Sequence, residues 1–250
     1  MKAVILSAGV GSRIKPLTDK TPKSLLKIGS QTILERMITS ILKVSISEIA
    51  IVTGYLEGQI KDFVSQKYPE LKVTFIRNNL FDKTNTAYSL NLTKDFVAGD
   101  SFIKFDGDVV FEDAILEKLV NDPNPNCICI DRDINLAAEE VKVEASEDGK
   151  ILKVGKVIDP KKAAGESIGI EKISTDAARI FFEQLNNLLK NPANYQRYYD
   201  DTYTTLIEKA VLFYTVDITG LNWVEIDTLS DFKNAQDIFI TSYRNTLSST

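Results

Sequence analysis

Two glycines and several cationic side chains share one short segment near the start of the chain. Gly9 and Gly11 follow an apolar run at 2–7, and Arg13 and Lys23 come soon after them. Glycine lets backbone amides approach an anion closely, and arginine and lysine supply the positive charge that a triphosphate needs. The same segment carries two further lysines, Lys15 and Lys20. A solvated surface loop is the alternative, but the Gly and Pro residues between the cations restrict the backbone and favour phosphate binding.

Acidic side chains recur at two later points, each beside an apolar run. Asp106 and Asp108 flank a glycine at the end of a predicted strand. Glu225 and Asp227 alternate with apolar residues, so both carboxylates point to one face of a short strand. Asp108 and Asp227 together would suit Mg²⁺, which proteins hold with one or two carboxylates. A second role for Asp227, as the N-cap of a predicted helix at 228–240, is left open by spacing alone.

Composition excludes several kinds of chemistry. The 250 residues include no histidine, which rules out Ser-His-Asp and Cys-His nucleophile pairs and imidazole metal ligands. The net charge of −5 argues against a nucleic-acid binder, which would carry a basic stripe. A dinucleotide oxidoreductase is disfavoured because Ile14 replaces the third small residue of the fingerprint and Pro16 interrupts the following helix. No apolar run approaches the ~20 residues of a membrane span, so no membrane partner is expected.

Short apolar runs alternate with longer amphipathic stretches, and this alternation predicts a doubly wound α/β fold with a mostly parallel sheet. The first half predicts strands at 2–7, 48–53, 71–76 and 101–105, and helices at 32–44, 57–68 and up to about 93. The second half predicts strands at 127–131, 139–145, 150–158, 166–173, 212–218 and 223–226, and helices at 175–190, 200–210 and 228–240. The short strands after about 125 indicate a small β-rich insertion, with a hairpin turn at 147–150.

These elements predict a single domain over 1–240, with a nucleotide-binding half at 1–125, an acceptor-binding half at 126–240 and a polar tail at 241–250. Ligands of such sheets bind beyond the carboxyl ends of the strands, where the glycine loop and the acidic residues lie. Cys127 and Cys129 are two apart on one predicted strand, too close for an easy disulfide, so reduced thiols and a cytoplasmic location are expected.

The first loop resembles the signature of a known family. Residues 6–13 (LSAGVGSR), followed by 16–18 (PLT) and 21–23 (TPK), are similar to the L-A-A-G-x-G-[ST]-R…P-L-T…P-K pattern of nucleotidyltransferases, which build nucleoside-diphosphate sugars and alcohols. Ser7, where alanine is usual, is the one departure within the motif. The acidic residues around Asp108 and Asp227 lie where that family carries its Mg²⁺-binding acids, so the resemblance covers nearly the whole chain and implies a Rossmann-like nucleotidyltransferase core.

Further segments resemble the branch that makes cytidylyl compounds from phosphocholine, inositol 1-phosphate and phosphonoalkyl substrates. They are 52–55, 78–79, 84–90, 107–111, 131–133, 155–156 and 165–170. Sugar-specific relatives usually carry Gln-Gly-Thr-Ala where this chain has Thr84-Asn85-Thr86-Ala87. That difference argues against a hexose-1-phosphate nucleotidyltransferase using UTP or dTTP, which remains the alternative enzyme. A non-catalytic nucleotide-binding module is the alternative outside the enzymes, and the intact set of charged residues argues against it.

The resemblance implies a Mg²⁺-dependent transfer of CMP from CTP to a phosphorylated small alcohol or amine, with release of pyrophosphate. Arg13 and Lys23 would neutralise the phosphates as catalytic residues, and Asp108 and Asp227 would hold the metal. The nucleotide would contact Leu6, Ala8, Gly9, Gly11, Ser12, Asn85, Ser89 and Asp106. Lys156 would contact the phosphate of the acceptor. The other acceptor contacts would be Glu166, Tyr199, Asp201, Trp223 and Glu225, because aromatic rings beside carboxylates suit an ammonium group. Whether the chain forms a homodimer is left open.

Overall fold

The computed structural model describes residues 1–133 and 139–247, the last seven of these by their backbone alone. Residues 134–138 of the predicted acceptor-binding half, and residues 248–250 of the predicted tail, lie outside the described residues. The strands are β1 Lys2–Ser7, β2 Lys27–Ile28, β3 Gln31–Thr32, β4 Ile49–Thr53, β5 Val73–Arg77, β6 Phe102–Asp106, β7 Val109–Phe111, β8 Cys127–Asp131, β9 Lys142–Ala145, β10 Ile151–Gly155, β11 Gly165–Ile173, β12 Tyr214–Asp217 and β13 Trp223–Glu225. The α-helices are α1 Ile33–Lys43, α2 Glu57–Lys67, α3 Thr86–Asn91, α4 Lys94–Val97, α5 Asp113–Asn121, α6 Thr175–Leu188, α7 Tyr203–Glu208 and α8 Leu229–Leu247.

One nine-stranded sheet runs through the part of the chain that the structure describes, with the main order β10-β9-β11-β6-β1-β4-β5. The strands β6, β1, β4 and β5 pair in parallel, as the strand–helix alternation predicts. Strand β11 then pairs antiparallel to β6, β8 and β9, and β12 pairs in parallel with β8. The β-rich part of the second half is therefore continuous with the main sheet. Two small antiparallel pairs, β2 with β3 and β7 with β13, lie outside it.

The sheet is buried on both faces. In β1, Ala3 and Ile5 belong to the core that α1, α2 and α5 cover, while Val4 belongs to the core on the opposite face, covered by α3, α4, α6 and α7. All three side chains have no exposed surface, which explains the nearly continuous apolar run of this strand. Cys127 and Cys129 form no disulfide, as their spacing predicts. Both lie in the core that α1, α2 and α5 cover, and burial raises the pKa of both thiols.

The strands predicted at 139–145 and 150–158 are shorter in the structure, and α5 lies where no helix is predicted. Two further differences concern helices of the second half. The helix predicted at 200–210 begins with a 3₁₀ turn, Tyr199–Thr202, which leads directly into α7. The helix predicted at 228–240 continues to Leu247, so the first part of the predicted tail 241–250 is helical. Polarity alone does not end a helix, and residues 241–247 contain neither glycine nor proline. Within the described residues, no helix has the length and apolar composition that crossing a membrane requires.

Candidate active site

A cleft of about 920 Å³ opens at the carboxyl ends of β1 and β6 and extends over β11 and β13. It lies where ligands of open α/β sheets are expected to bind. The cleft is lined by all but one of the predicted site residues: Leu6, Ala8, Gly9, Gly11, Ser12, Arg13, Lys23, Asn85, Ser89, Asp106, Asp108, Lys156, Glu166, Tyr199, Trp223, Glu225 and Asp227. The two halves of the predicted domain therefore share one cavity.

The glycine loop leaves β1 and turns at Gly11, whose φ of +64° is easy for glycine and rare for other residues. The hydroxyl of Thr18 donates to the Gly11 carbonyl over 2.8 Å, and the hydroxyl of Tyr55 donates to the Thr18 carbonyl over 3.0 Å. These bonds tie the two ends of the loop to each other and to the residues that follow β4. The loop therefore presents Gly9 and Arg13 to the cleft from a fixed base.

Two of the four predicted phosphate-binding cations do not reach the cleft. Lys15 forms an exposed ion pair with Asp19, with 3.3 Å between its Nζ and the Asp19 Oδ1. The Lys20 side chain is exposed and is absent from the cleft lining. Of the loop cations, only Arg13 and Lys23 face the cleft. The loop turns between Arg13 and Lys23, so Lys15 and Lys20 lie outside the cleft although they are close to these two residues in sequence.

Lys23 joins the two predicted metal ligands. Its ammonium group lies 2.8 Å from an oxygen of Asp108 and 2.8 Å from an oxygen of Asp227, and it donates to the Ile226 carbonyl over 2.7 Å. Burial alone would lower the pKa of Lys23, but the two carboxylates outweigh it and raise that pKa. Lys23 is therefore charged at neutral pH and connects the first loop to the end of β13.

The structure excludes one of the two roles left open for Asp227, that of a helix cap. The helix α8 is capped by Thr228 and Asp231, since the Thr228 hydroxyl accepts from the Asp231 amide and Asp231 accepts from the Thr228 amide. The Asp227 side chain points instead to the cations, with one oxygen 2.6 Å from Arg13 and the other 2.8 Å from Lys23. Burial would raise the pKa of Asp227, but these cations lower it. Asp227 is therefore an ionised cleft carboxylate and not the cap.

Glu225 completes a group of three carboxylates. Oxygens of Asp108, Glu225 and Asp227 all lie within 4.8 Å of one another, a spacing that fits a metal ion. The surrounding protein, which limits hydration, and the charges of Asp108 and Asp227 raise the pKa of Glu225 to about 9. The Glu225 side chain is nonetheless exposed to the solvent of the cleft. Of the two causes of its raised pKa, the repulsion from Asp108 and Asp227 is the one that a bound cation would remove. The donor set, all oxygen and negatively charged, is the set that Mg²⁺ prefers.

A second lysine–carboxylate cluster, which sequence reasoning missed, lies beneath the cleft. Lys104 in β6 has no exposed surface, and its Nζ lies 3.0 Å from Asp106 and 2.8 Å from Glu171 of β11. The hydroxyl of Tyr199 donates to the same Asp106 oxygen over 2.7 Å and also contacts Lys104. Charged residues within the apolar runs 102–105 and 168–173 are the sequence signal of such a pair, because a buried charge requires a partner.

At the far end of the cleft, Trp223 and acidic side chains meet. The indole nitrogen of Trp223 donates to Asp131 over 2.8 Å, which fixes the ring at the cleft wall. Glu166 is buried beside them, and burial together with the charges of Glu140 and Asp131 raises its pKa to about 7. This end of the cleft therefore carries more negative charge than its described partners neutralise.

Lys156 also lies at this end. Its Nζ is 4.7 Å from the centre of the Tyr198 ring and 3.7 Å from a carboxylate oxygen of Glu139. Both partners line the cleft with it. An ammonium group therefore already rests on an aromatic face here, beside an acidic side chain.

Asp201 is the predicted site residue that the structure places outside the cleft. It forms an exposed ion pair with Arg197, with 2.9 Å between the Arg197 Nε and an Asp201 oxygen. The preceding residue, Asp200, is buried and lines the cleft instead. The 3₁₀ turn at 199–202 causes this difference, since it turns Tyr199 and Asp200 inward and leaves Asp201 outside. Neither acid caps α7, whose N-cap residue is Thr202.

The predicted nucleotide contacts Asn85 and Ser89 belong to the short helix α3. The Asn85 side-chain oxygen accepts from the Thr86 amide over 2.9 Å and so caps the helix. The Ser89 hydroxyl accepts from the Asn78 side-chain amide over 3.1 Å. Both residues line the cleft opposite the glycine loop, and their positions are set by these bonds.

Comparison with known proteins gives matches over most of the chain. The family model described as "Nucleotidyl transferase" matches residues 2–125. The CTP:phosphoglutamine cytidylyltransferase of Campylobacter jejuni is 31% identical, over 93% of this chain and 98% of the relative. The choline-phosphate cytidylyltransferase of Haemophilus influenzae is 30% identical, over 93% of this chain and 94% of the relative.

The fold has a counterpart among solved structures. The CTP:phosphocholine cytidylyltransferase of Streptococcus pneumoniae superposes with a TM-score of 0.75 at 23% identity, over 95% of this chain and 98% of that one. At that identity the likeness concerns the fold alone. The two sequence relatives, each matched over nearly its full length, show the family. The glycine loop, its cations Arg13 and Lys23, and the three carboxylates line one cleft. The chain belongs to the nucleotidyl transferase family, as an enzyme that resembles its cytidylyltransferase branch.

Proposed function

We propose that the protein transfers CMP from CTP to a phosphorylated small alcohol or amine, with Mg²⁺ as cofactor and pyrophosphate as the second product. The observation that carries the proposal is the meeting of Asp108, Glu225 and Asp227 with Lys23 and Arg13 across one cleft. Carboxylates for a metal and cations for phosphates are the two requirements of nucleotidyl transfer. The relatives named above, which are cytidylyltransferases of phosphorylated compounds, support CTP as the donor.

The chemistry needs no general base. A phosphate oxygen of the acceptor attacks the α-phosphorus of CTP, and the bond from that phosphorus to the bridging oxygen of pyrophosphate breaks. The acceptor phosphate is already largely ionised at pH 7, since its second pKa is about 6. What the protein must supply is alignment and positive charge, so that two anions approach each other. Arg13 and Lys23 supply that charge, which makes the absence of histidine compatible with catalysis.

The three carboxylates fit a divalent metal. Asp108 and Asp227 would hold Mg²⁺, and Glu225 adds a third oxygen donor within reach. All three carboxylates line the same cleft, so a metal that they held would face the bound nucleotide. When bound, Mg²⁺ would screen the charge of the α-phosphate against the incoming acceptor.

The far end of the cleft supports an acceptor with a positively charged group. Asp131, Glu166 and Glu140 gather there beside the Trp223 ring, and a cation is attracted both to carboxylates and to an aromatic face. A phosphocholine-like acceptor combines such a group with the phosphate that attacks CTP. Lys156, at the same end, is placed to contact the acceptor phosphate once it leaves the Tyr198 ring.

Pyrophosphate release tests the proposal. Each of CTP, UTP and dTTP is incubated with Mg²⁺ and with phosphocholine, phosphoethanolamine, aminoethylphosphonate, inositol 1-phosphate or glucose 1-phosphate. We expect release with CTP and a cationic acceptor. Turnover only with glucose 1-phosphate and UTP or dTTP would replace the proposal by the hexose-1-phosphate enzyme. No turnover with any pair would contradict nucleotidyl transfer to these acceptors.

A further inference from the structure

We propose that Lys23 is a resident counter-ion that occupies the metal position of the nucleotide-free protein. The ammonium group lies between Asp108 and Asp227, where the divalent ion of the proposed function would bind. The metal and Lys23 then compete for the same carboxylates, and the triphosphate resolves the competition by drawing Lys23 away. The inference rests on the proposed function, and it predicts that metal and nucleotide bind cooperatively.

The geometry of Lys23 resembles that of a coordinated cation. An ammonium group has three hydrogens to donate, and here three oxygens lie at 2.7–2.8 Å, one each from Asp108, Asp227 and the Ile226 carbonyl. The side chain is only 15% exposed, so water does not compete strongly for these contacts. Asp108 and Asp227 also each offer an oxygen within 4.8 Å of a Glu225 oxygen, so the same two carboxylates could share a metal with Glu225. A divalent ion that binds them must therefore displace Lys23.

The charge balance explains why displacement requires the nucleotide. Asp108 and Asp227 carry two negative charges, which Lys23 and Arg13 already balance with two positive charges. A divalent ion added to this group would face two nearby cations at short range, where repulsion is strong. A triphosphate brings several negative charges of its own and offers both cations a new partner. The carboxylates are then left to the metal.

Reciprocity makes the coupling measurable. If CTP tightens metal binding by some factor, the metal must tighten CTP binding by the same factor. A purely structural Lys23 would behave differently, because its removal would lower stability without improving metal affinity. The sign of the metal effect therefore separates the two roles.

Titration with Mn²⁺ alone, followed by the electron paramagnetic resonance signal of the free ion, provides the test. Wild type is compared with Lys23→Met and with Lys209→Met, which removes an exposed lysine that does not line the cleft. We expect Lys23→Met to bind Mn²⁺ about tenfold more tightly or better, because a competing unit charge is gone. Lys209→Met should bind as wild type does. Lys23→Gln, which is also neutral, serves if Lys23→Met does not fold.

The same titration is repeated with CTP, after a protein-free titration that accounts for Mn²⁺·CTP in solution. CTP should tighten Mn²⁺ binding to wild type and should have a smaller effect on the Lys23 variant. Equal or weaker Mn²⁺ binding by the variant without nucleotide would overturn the inference, and if wild type still releases pyrophosphate the proposed function stands. A wild type that neither releases pyrophosphate nor binds Mn²⁺ with CTP would overturn both.

Discussion

Two lysine–carboxylate clusters lie side by side in this protein. They are alike in composition but differ in burial and in the elements that they join. Asp106 and Asp108 are two residues apart, and each pairs with a lysine that contacts a second acid. Lys104 and its partner Glu171 have no exposed surface, whereas the side chains of Lys23 and Asp108 are 15% and 24% exposed to the cleft. The first pair joins two adjacent strands, whereas Lys23 joins the first loop to Asp227, which lies 204 residues away and just after β13.

We propose that the same kind of ion pair stabilises the fold in the buried cluster and exchanges partners in the open one. Lys104 faces Glu171 directly in the antiparallel register of β6 and β11, and the Tyr199 hydroxyl closes the group. The Lys23 group is open on the cleft side and contains an additional carboxylate, Glu225. The buried pair is expected to hold its partners permanently, whereas the open group can exchange them for a metal and a triphosphate.

The turn between the two acids keeps them on different sides. A Cβ built at Gly107 would lie 2.4 Å from the Leu6 carbonyl oxygen, so the turn is packed directly against the end of β1. Only glycine fits there without displacing the backbone. Asp106 is thereby directed toward Lys104, and Asp108 toward Lys23.

Removal of the open cluster's central carboxylate gives the largest expected effect. Asp108→Asn should lower the rate of pyrophosphate release about 1,000-fold, because it removes a carboxylate that would hold the Mg²⁺ needed to stabilise the reacting phosphates. The melting temperature should change little, since Asp108 is partly exposed. Asp19→Asn, an exposed acid outside the cleft, is the matched control and should keep the wild-type rate. A rate for Asp108→Asn near wild type would contradict the assignment of the open cluster to catalysis.

The buried cluster should respond through stability instead. Lys104→Met leaves Glu171 and Asp106 without their counter-charge, and the free energy of unfolding should fall by about 3 kcal/mol. Adding Glu171→Leu should recover most of that loss, because it removes one of the unpaired charges and fills the space with apolar atoms. Urea unfolding of both variants measures the two values. A loss below about 1 kcal/mol, or a double variant no better than the single one, would show that the pair is not the buried structural unit described here.

A smaller, pH-dependent effect should come from Asp200. Burial, together with Asp106 and Asp201 and against the opposing charge of Lys104, raises the pKa of the Asp200 carboxyl to about 7. The folded protein therefore binds this proton more tightly than the unfolded chain does, and stability is lost as pH rises from about 4 through 7.

Asp200→Asn removes this titration. Its free energy of unfolding, relative to wild type, should improve by about 1 kcal/mol or more between pH 5 and pH 8. Asp201→Asn is the exposed control and should show a much smaller change with pH. Chemical unfolding at the two pH values makes the comparison. A relative stability of Asp200→Asn that stays constant would contradict a raised pKa for Asp200.

The smallest effect is expected at Asp201 itself. Its ion pair with Arg197 is exposed, and such pairs contribute little. Asp201→Ala should change the free energy of unfolding by less than about 0.5 kcal/mol and leave the KM for the acceptor within about twofold of wild type. A large rise in that KM would return Asp201 to the acceptor site and contradict the placement of the 3₁₀ turn.

Local pattern sufficed where the chemistry depends on neighbours in sequence. The glycine loop with Arg13, and the alternation that puts Glu225 and Asp227 on one face, predicted residues that the structure brings into the cleft. The alternation of β-branched runs with amphipathic stretches likewise predicted the doubly wound sheet, because both faces of β1 must be covered.

Long-range geometry lay beyond local pattern. The Lys104–Glu171 pair depends on the register of two strands that are far apart in sequence. The choice between Asp200 and Asp201 depends on one 3₁₀ turn, which spacing does not distinguish from the start of an α-helix. Asp227 could be separated from a helix cap only once Thr228 and Asp231 were seen to fill that role.

The fate of the α-phosphate of CTP shows whether this cleft transfers a nucleotidyl group. Wild-type protein is incubated with Mg²⁺, phosphocholine or aminoethylphosphonate, and CTP labelled at the α-phosphate. We expect the label to enter the acceptor product while pyrophosphate is released unlabelled, and we expect Asp108→Asn to produce neither. Label that remains with free CMP, or transfer that persists in Asp108→Asn, would contradict this expectation.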